Sequence, residues 1–316
     1  MKRSITFAVF SVLALVFPMA GQTSLVRGDV VVSAYDESPA SLFSNLRVYG
    51  RDGVFKRELV GPDGRFFGEP LVRDGIVYFG AHIPNAIERV AADGTRLAPL
   101  TTEVANVNYL SPGPSGGILA LNNSGEIYLF APDGTLLHFR DSTNLPNAEG
   151  GAALGRDGCT VFYAAAAALV RWNACTDSVA EFFTPRFGST SYALRVLNDG
   201  SFLVALLSDR GSVLHLDPVG SVIHEYPIPS PHAVALDIDG TSFWTNAGNL
   251  LLRIDIATGA VLSETFTPYQ IYGISVAGEP RAGLAATQSV PAVSPLGLIG
   301  LALAIAILAA VALRMR

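Results

Sequence analysis

An Asp-Gly pair followed by an apolar run returns at near-constant intervals along this chain. It stands at Asp74-Gly75, Asp157-Gly158, Asp199-Gly200 and Asp239-Gly240, and Ser115-Gly116 takes the same place after the first of them. The glycines at 75, 116, 158, 200 and 240 are 41, 42, 42 and 40 residues apart. A second mark falls inside each unit, at Asp52-Gly53, Asp93-Gly94, Asp133-Gly134, Thr176-Asp177, Val219-Gly220 and Thr258-Gly259. Asp-Gly between short β-branched and aromatic runs is hairpin chemistry, because the turn demands residues that tolerate positive φ. The clearest unit runs from Arg156 to Pro185, with apolar runs Cys159 to Ala166, Leu169 to Cys175 and Val179 to Phe183. Three such strands cannot bury both faces alone, so each unit needs neighbours.

The 252 residues from 29 to 280 divide into six units of 42. A period of about 40–45 residues with about four strands per period is that of a propeller blade. The expectation is an all-β, six-bladed β-propeller of four-stranded blades over residues 22–280. Each unit is read as opening on its innermost strand, beginning near Asp29, Ile76, Gly117, Cys159, Ser201 and Thr241. In the second unit the strands are expected at Ile76–Ala81, Ile87–Ala91, Thr95–Leu100 and Val107–Leu110. No stretch before residue 293 sustains a helical period. Leu25-Val26-Arg27-Gly28 echoes Leu71-Val72-Arg73-Asp74-Gly75, as if imitating an outermost strand that closes the ring. Ile271–Ala277 reads as that same outermost strand, and the sequence leaves open which of the two closes the circle.

Both ends of the chain differ in composition from the repeats. Residues 1–21 have the pattern of a signal peptide: Lys2 and Arg3, an apolar run Ile5–Phe17, the breaker Pro18, and small residues at Ala20 and Gly21 where cleavage is expected. Residues 281–292 read as a linker and residues 293–316 as a transmembrane or sorting segment. Leu296–Leu313 is an apolar run of 18 residues, long enough to span a bilayer with little tilt. Arg314 and Arg316 follow it, and positive residues favour the cytoplasmic side, which would hold the propeller outside. A net charge of −6 and a pI near 5.4 leave no basic footprint, so nucleic acid is excluded as the expected partner.

Two resemblances follow from these residues. The blades resemble the broad class of six-bladed propellers that includes the NHL, TolB-like and SMP-30 families, on the Asp-Gly turns and apolar strands of residues 29–280. That likeness implies a fold and no function; the lactonases of the class use a Glu, Asn and Asp metal site, for which no matching motif is present here. The tail resembles bacterial sorting signals of the IPTL type. Val290, Pro291 and Ser294 stand where those signals have Ile/Val, Pro and Ser, although Val293 departs from the pattern and the arginine cluster is sparse. The resemblance implies export in a Gram-negative bacterium, with placement on the periplasmic or cell-surface face of the envelope, either anchored or processed by a membrane sorting protease.

Candidate chemistry is sparse. Asp74, Asp157, Asp199 and Asp239 would gather at one end of the ring, where converging carboxylates suit Ca²⁺; Asp also precedes Gly simply because the turn suits it. Apart from that Ca²⁺ reading no metal or cofactor is expected. His215 and His224 flank Asp217–Ser221 and would meet across a hairpin. Trp172 and Trp244 lie inside strand runs and read as core. No nucleophile elbow and no phosphate-binding glycine loop occurs. Cys159 and Cys175, the two cysteines of the chain, would oppose each other in a hairpin centred on residue 167. With export, they are expected to form a disulfide. The function expected is a non-enzymatic binding module for an unknown protein or glycan ligand, tied to the membrane by its C-terminal helix. The alternative is a divalent-cation-dependent lactonase or lyase of the SMP-30 or streptogramin-lyase kind. Carboxylates and histidines converging on the axis would favour the enzyme.

Overall fold

The computed structural model describes residues 24–36, 43–63, 67–82, 85–141, 150–165, 168–183, 190–207 and 211–280. The expected signal peptide with Ala20 and Gly21, the linker, and the tail with Val290, Pro291 and Ser294 lie outside these residues. Among the described residues no helix is long and apolar enough to cross a membrane.

The described residues form 24 strands. They are β1 (Val30–Asp36), β2 (Phe43–Tyr49) and β3 (Phe55–Asp63); β4 (Leu71–Arg73), β5 (Ile76–His82), β6 (Asn85–Ala91) and β7 (Arg96–Thr101); and β8 (Val107–Pro112), β9 (Ile118–Asn122), β10 (Ile127–Phe130) and β11 (Leu136–Arg140). The second half continues with β12 (Ala152–Leu154), β13 (Thr160–Ala165), β14 (Ala168–Asn173) and β15 (Ser178–Phe183); β16 (Thr190–Val196), β17 (Phe202–Leu207), β18 (Ser212–Leu216) and β19 (Val222–Tyr226); β20 (Val234–Leu236), β21 (Ser242–Ala247), β22 (Leu250–Asp255) and β23 (Val261–Phe266); and β24 (Gln270–Val276). They make six four-stranded antiparallel sheets, so the six-bladed propeller is as the period predicts. The strands β4, β8, β12, β16, β20 and β24 touch one another in cyclic order and therefore line the axis. The fourth strands, such as β11 and β23, are largely exposed and form the rim.

The blade boundaries shift by one strand from the sequence reading. The run after each Asp-Gly turn is the second strand of its blade, not the innermost one. In the second blade, Ile76–His82 pairs on one side with the three-residue β4 and on the other with β6, and Val107–Pro112 belongs to the next blade. The physical cause is that blades converge at the axis. Three of the first strands, β4, β12 and β20, have only three residues, while second strands such as β17 are buried on both faces and so dominate the hydrophobic pattern. The ring closes through β24, which pairs with β1 as the innermost strand of the sheet β24-β1-β2-β3. Leu25–Gly28 is not a strand, and Ile271–Ala277 is not outermost.

Burial of both sheet faces explains the apolar runs. Along β21, Phe243 packs into the core shared with the fifth blade, and its neighbour Trp244 into the core shared with the first. Along β17, Leu203 and Ala205 face the sixth blade while Phe202, Val204 and Leu206 face the fourth. Six such cores, one per interface between blades, hold the ring. Trp172 and Trp244 are both fully buried, as core tryptophans.

Cys159 and Cys175 are bonded, with Cα atoms 5.3 Å apart. The pairing is as expected, but its geometry is offset. The hairpin β13–β14 pairs Thr160 with Asn173, and the Ala174 N–H donates to the Cys159 carbonyl at 2.8 Å. Residue 174 is therefore the direct partner of 159, and the bridge reaches one residue further into the turn. It joins the second and third strands of the blade rather than the first and second.

Candidate functional site

The Asp-Gly turns at Asp74, Asp157, Asp199 and Asp239 each connect the first strand of a blade to the second, so they gather at one end of the ring. At Asp74-Gly75 both residues have positive φ (51° and 75°), the two-residue hairpin geometry that glycine and aspartate tolerate. The other aspartates are used inside their own turns. Asp157 accepts from the backbone of Cys159 and Thr160 and from the Thr160 hydroxyl. Asp199 accepts from the Ser201 N–H and hydroxyl. Asp239 accepts from the backbone of Thr241 and Ser242, and it is also gripped by Arg51 and Arg253 at 2.5 and 2.7 Å. Burial pushes these carboxyls up, but the hydrogen bonds outweigh it and hold all three below the usual carboxylate range. Asp74 is largely exposed and pairs with Arg73 at 3.4 Å. The four candidates thus share an end of the ring without converging. Among the described residues no group of three His, Cys, Asp or Glu side chains is placed to hold a metal.

His215 and His224 are direct cross-strand partners in β18 and β19. His215 Nε2 lies 3.0 Å from the Ser201 hydroxyl, which in turn donates to Asp199. The order Asp–Ser–His leaves the hydroxyl between the other two. A base-activated nucleophile needs the histidine in that central position. This is a turn-locking network, and burial lowers the pKa of His215.

The axis itself holds a cluster that the sequence reading missed. Arg195, in β16, comes from the blade opposite β4. Its Nη2 donates to Oε1 of Glu69, two residues before β4, at 2.5 Å, and its Nε donates to Oε1 of Glu279, just after β24, at 3.0 Å. All three side chains are at least nine-tenths buried. Two further bonds flank the bridge: Arg195 Nη1 donates to the Leu194 carbonyl, and the Leu236 N–H donates to Glu279. Gly273 makes room for this arrangement, since a Cβ there would come within 2.5 Å of the Glu69 Cα.

Burial pushes the Glu69 carboxyl up to about 7, against the attraction of Arg195 and with added repulsion from Glu279. The folded protein therefore holds a proton on Glu69 that the unfolded chain releases near pH 4.5. The stabilisation is full below that pH and is lost as pH rises through about 7, an effect of up to about 3 kcal/mol at about 1.4 kcal/mol per pKa unit. His215 and His232, both with lowered pKa, work in the opposite direction over part of this window, so the measurement is a difference. Thermal unfolding of wild type and Glu69→Gln at pH 5 and pH 8 should show the variant gaining on wild type as pH rises. A difference independent of pH would remove Glu69 as the titrating group.

Above this cluster, on the turn side, the mouth of the ring opens into a cavity of about 410 Å³. Arg195 and Glu279 line it, together with Pro112, Pro114, Leu154, Arg156, Leu236 and Pro280 among others. A second lobe of about 310 Å³, lined by Arg27, Leu71 and Arg73, shares Pro112 and Glu279 with the first. The segment Gly155–Gly158 walls the larger lobe, and the disulfide at Cys159 follows it directly. Toward the other end of the same strands, the His232 ring lies 4.9 Å from Tyr192 and 5.1 Å from Tyr272.

No family model matches the chain, and no curated protein does. Solved structures do. The chain shares the fold of a protein of unknown function from Bacteroides caccae at 12% identity and a TM-score of 0.61, covering 80% of this chain and all of that one. A structure of the nidogen/laminin complex matches at 13% identity and TM-score 0.61, over 80% of this chain and all of its own. Streptogramin B lyase matches at 20% identity and TM-score 0.51, over 64% of this chain and 69% of its own. The shared feature is the fold. At these identities nothing further transfers.

Proposed function

We propose that the protein is an exported, envelope-anchored, non-enzymatic binding module whose ligand seats in the turn-side mouth of the ring. The observation that carries this reading is Arg195. On the axis, where a cation-dependent hydrolase or lyase would need free carboxylates, its guanidinium bridges Glu69 and Glu279 through one oxygen of each. A metal ion would have to displace a buried arginine held by two carboxylates. Above the bridge lies a concave, mainly apolar cavity with a few polar groups, of the size that binding sites have. The Cys159–Cys175 bridge supports export, because such bonds persist in oxidising compartments. In this reading residues 293–316 hold the protein to the membrane, or are removed by a sorting protease near Val290, Pro291 and Ser294. The ligand is an envelope protein or glycan. The lyase reading rests on the fold shared with streptogramin B lyase.

The test uses the full chain on glycan and peptide arrays beside Leu154→Trp, which fills the larger lobe. Saturable binding by wild type that the variant loses is the expected result. Turnover of a lactone or cyclic ester that requires Ca²⁺ or Mg²⁺ and disappears in Glu69→Gln would overturn the proposal in favour of the enzyme.

A further inference from the structure

Within the binding reading just given, on which this step rests, the mouth has a definite polarity. The carboxylates around the larger lobe are engaged: Glu279 by Arg195 and the Leu236 N–H, and Asp157 by its own turn. Arg195 is itself held by two carboxylates. Arg156 differs. It is exposed, lines the cavity, and makes no ion pair or hydrogen bond among the described residues. It also stands on the ridge shared with a smaller groove between the fourth and fifth blades. An exposed, uncommitted guanidinium beside Pro112, Pro114, Leu154, Leu236 and Pro280 makes an apolar cup with one cationic edge. In a chain of net charge −6 this cation is not part of a general basic surface.

We infer that the part of this ligand seated in the turn-side mouth is an anionic amphiphilic group, with its acid on the Arg156 guanidinium and its apolar body against Pro112, Pro114, Leu154, Leu236 and Pro280. A charge-assisted hydrogen bond to guanidinium fixes the orientation of the ligand, while the apolar walls supply most of the contact area.

The experiment titrates the full chain with two fluorescent probes of similar shape, anilinonaphthalene sulfonate, which is anionic, and N-phenylnaphthylamine, which is neutral. The expected result is saturable binding of both, one site per chain. Arg156→Glu should weaken the sulfonate by about tenfold or more and leave the neutral probe within about twofold. Arg27→Glu makes the same change of net charge in the second lobe and should alter neither probe. Leu154→Trp should lose both, with an unchanged thermal midpoint showing that the variant is folded. If Arg156→Glu leaves the sulfonate unaffected while Leu154→Trp loses both probes, the anionic assignment is wrong and the binding cavity stands. If Leu154→Trp retains both, or wild type binds neither saturably, the cavity is not a ligand seat and both readings fall.

Discussion

Arg195→Leu should destabilise the protein by about 3–5 kcal/mol, the cost of leaving buried charges without their partner. Glu69 and Glu279 are both nearly inaccessible to water and share this one guanidinium. Removing it strands two like charges near the axis, where β4, β16 and β24 deliver them from three blades. The loss should be smaller at pH 5 than at pH 8, because Glu69 already tends to carry a proton below about 7. Adding Glu69→Gln to Arg195→Leu should recover part of the stability, since one of the two stranded carboxylates becomes neutral. Urea midpoints of the single and double variants make the cycle. A loss below about 1 kcal/mol for Arg195→Leu would mean that the cluster is solvated in solution and does not tie the blades together. The same variant opens the floor of the mouth cavity, so a small loss would also weaken the case that this bridge blocks metal binding on the axis.

The repeat was legible because the Asp-Gly turns obey local rules. A positive-φ turn between two short strands needs its residues whatever the rest of the chain does, so Gly75 and Gly240 mark the blades from the sequence alone. The phase of the blades was not legible. Leu71–Arg73 and Val234–Leu236 are too short to carry a strand pattern of their own, and the longer runs Ile76–His82 and Ser242–Ala247 that follow their turns carry it instead. Ring closure is a long-range pairing of β24 with β1, and no local propensity encodes it. The turn aspartates look like a ligand set in the sequence because their recurrence is visible there and the direction of their oxygens is not. The axial cluster had a faint signal. Arg195 is a charged residue inside an apolar strand, which is rarely tolerated without a partner, and Glu69 precedes a proline between two blades. That Arg195 finds Glu69, 126 residues away, depends on the two blades facing each other across the ring.

Replacing Cys159 and Cys175 together by alanine should cost about 3 kcal/mol, from the chain entropy restored to the unfolded state when a loop of separation 16 is opened. The cost should have a local component too. The Cys159 N–H donates to Asp157, and the Cys175 N–H donates to the Asn173 side chain, so the bridge joins two turns that are already hydrogen-bonded. One of those turns follows the cavity wall Gly155–Gly158 without a break. Loss of the bridge should therefore release that wall before the ring as a whole. Hydrogen exchange at residues 155–160 should rise more in the variant than exchange in β21 or β17, which are buried on both faces. The full chain recovered from a reducing compartment should match the alanine variant in its urea midpoint, and the chain recovered from an oxidising compartment should exceed both. Counting thiols on the denatured, unreduced protein from the oxidising preparation gives the sharpest check. Two free thiols per chain there would show that the bond does not form. The oxidising compartment would then lose its structural support, and the cavity wall would rest on its turn hydrogen bonds alone.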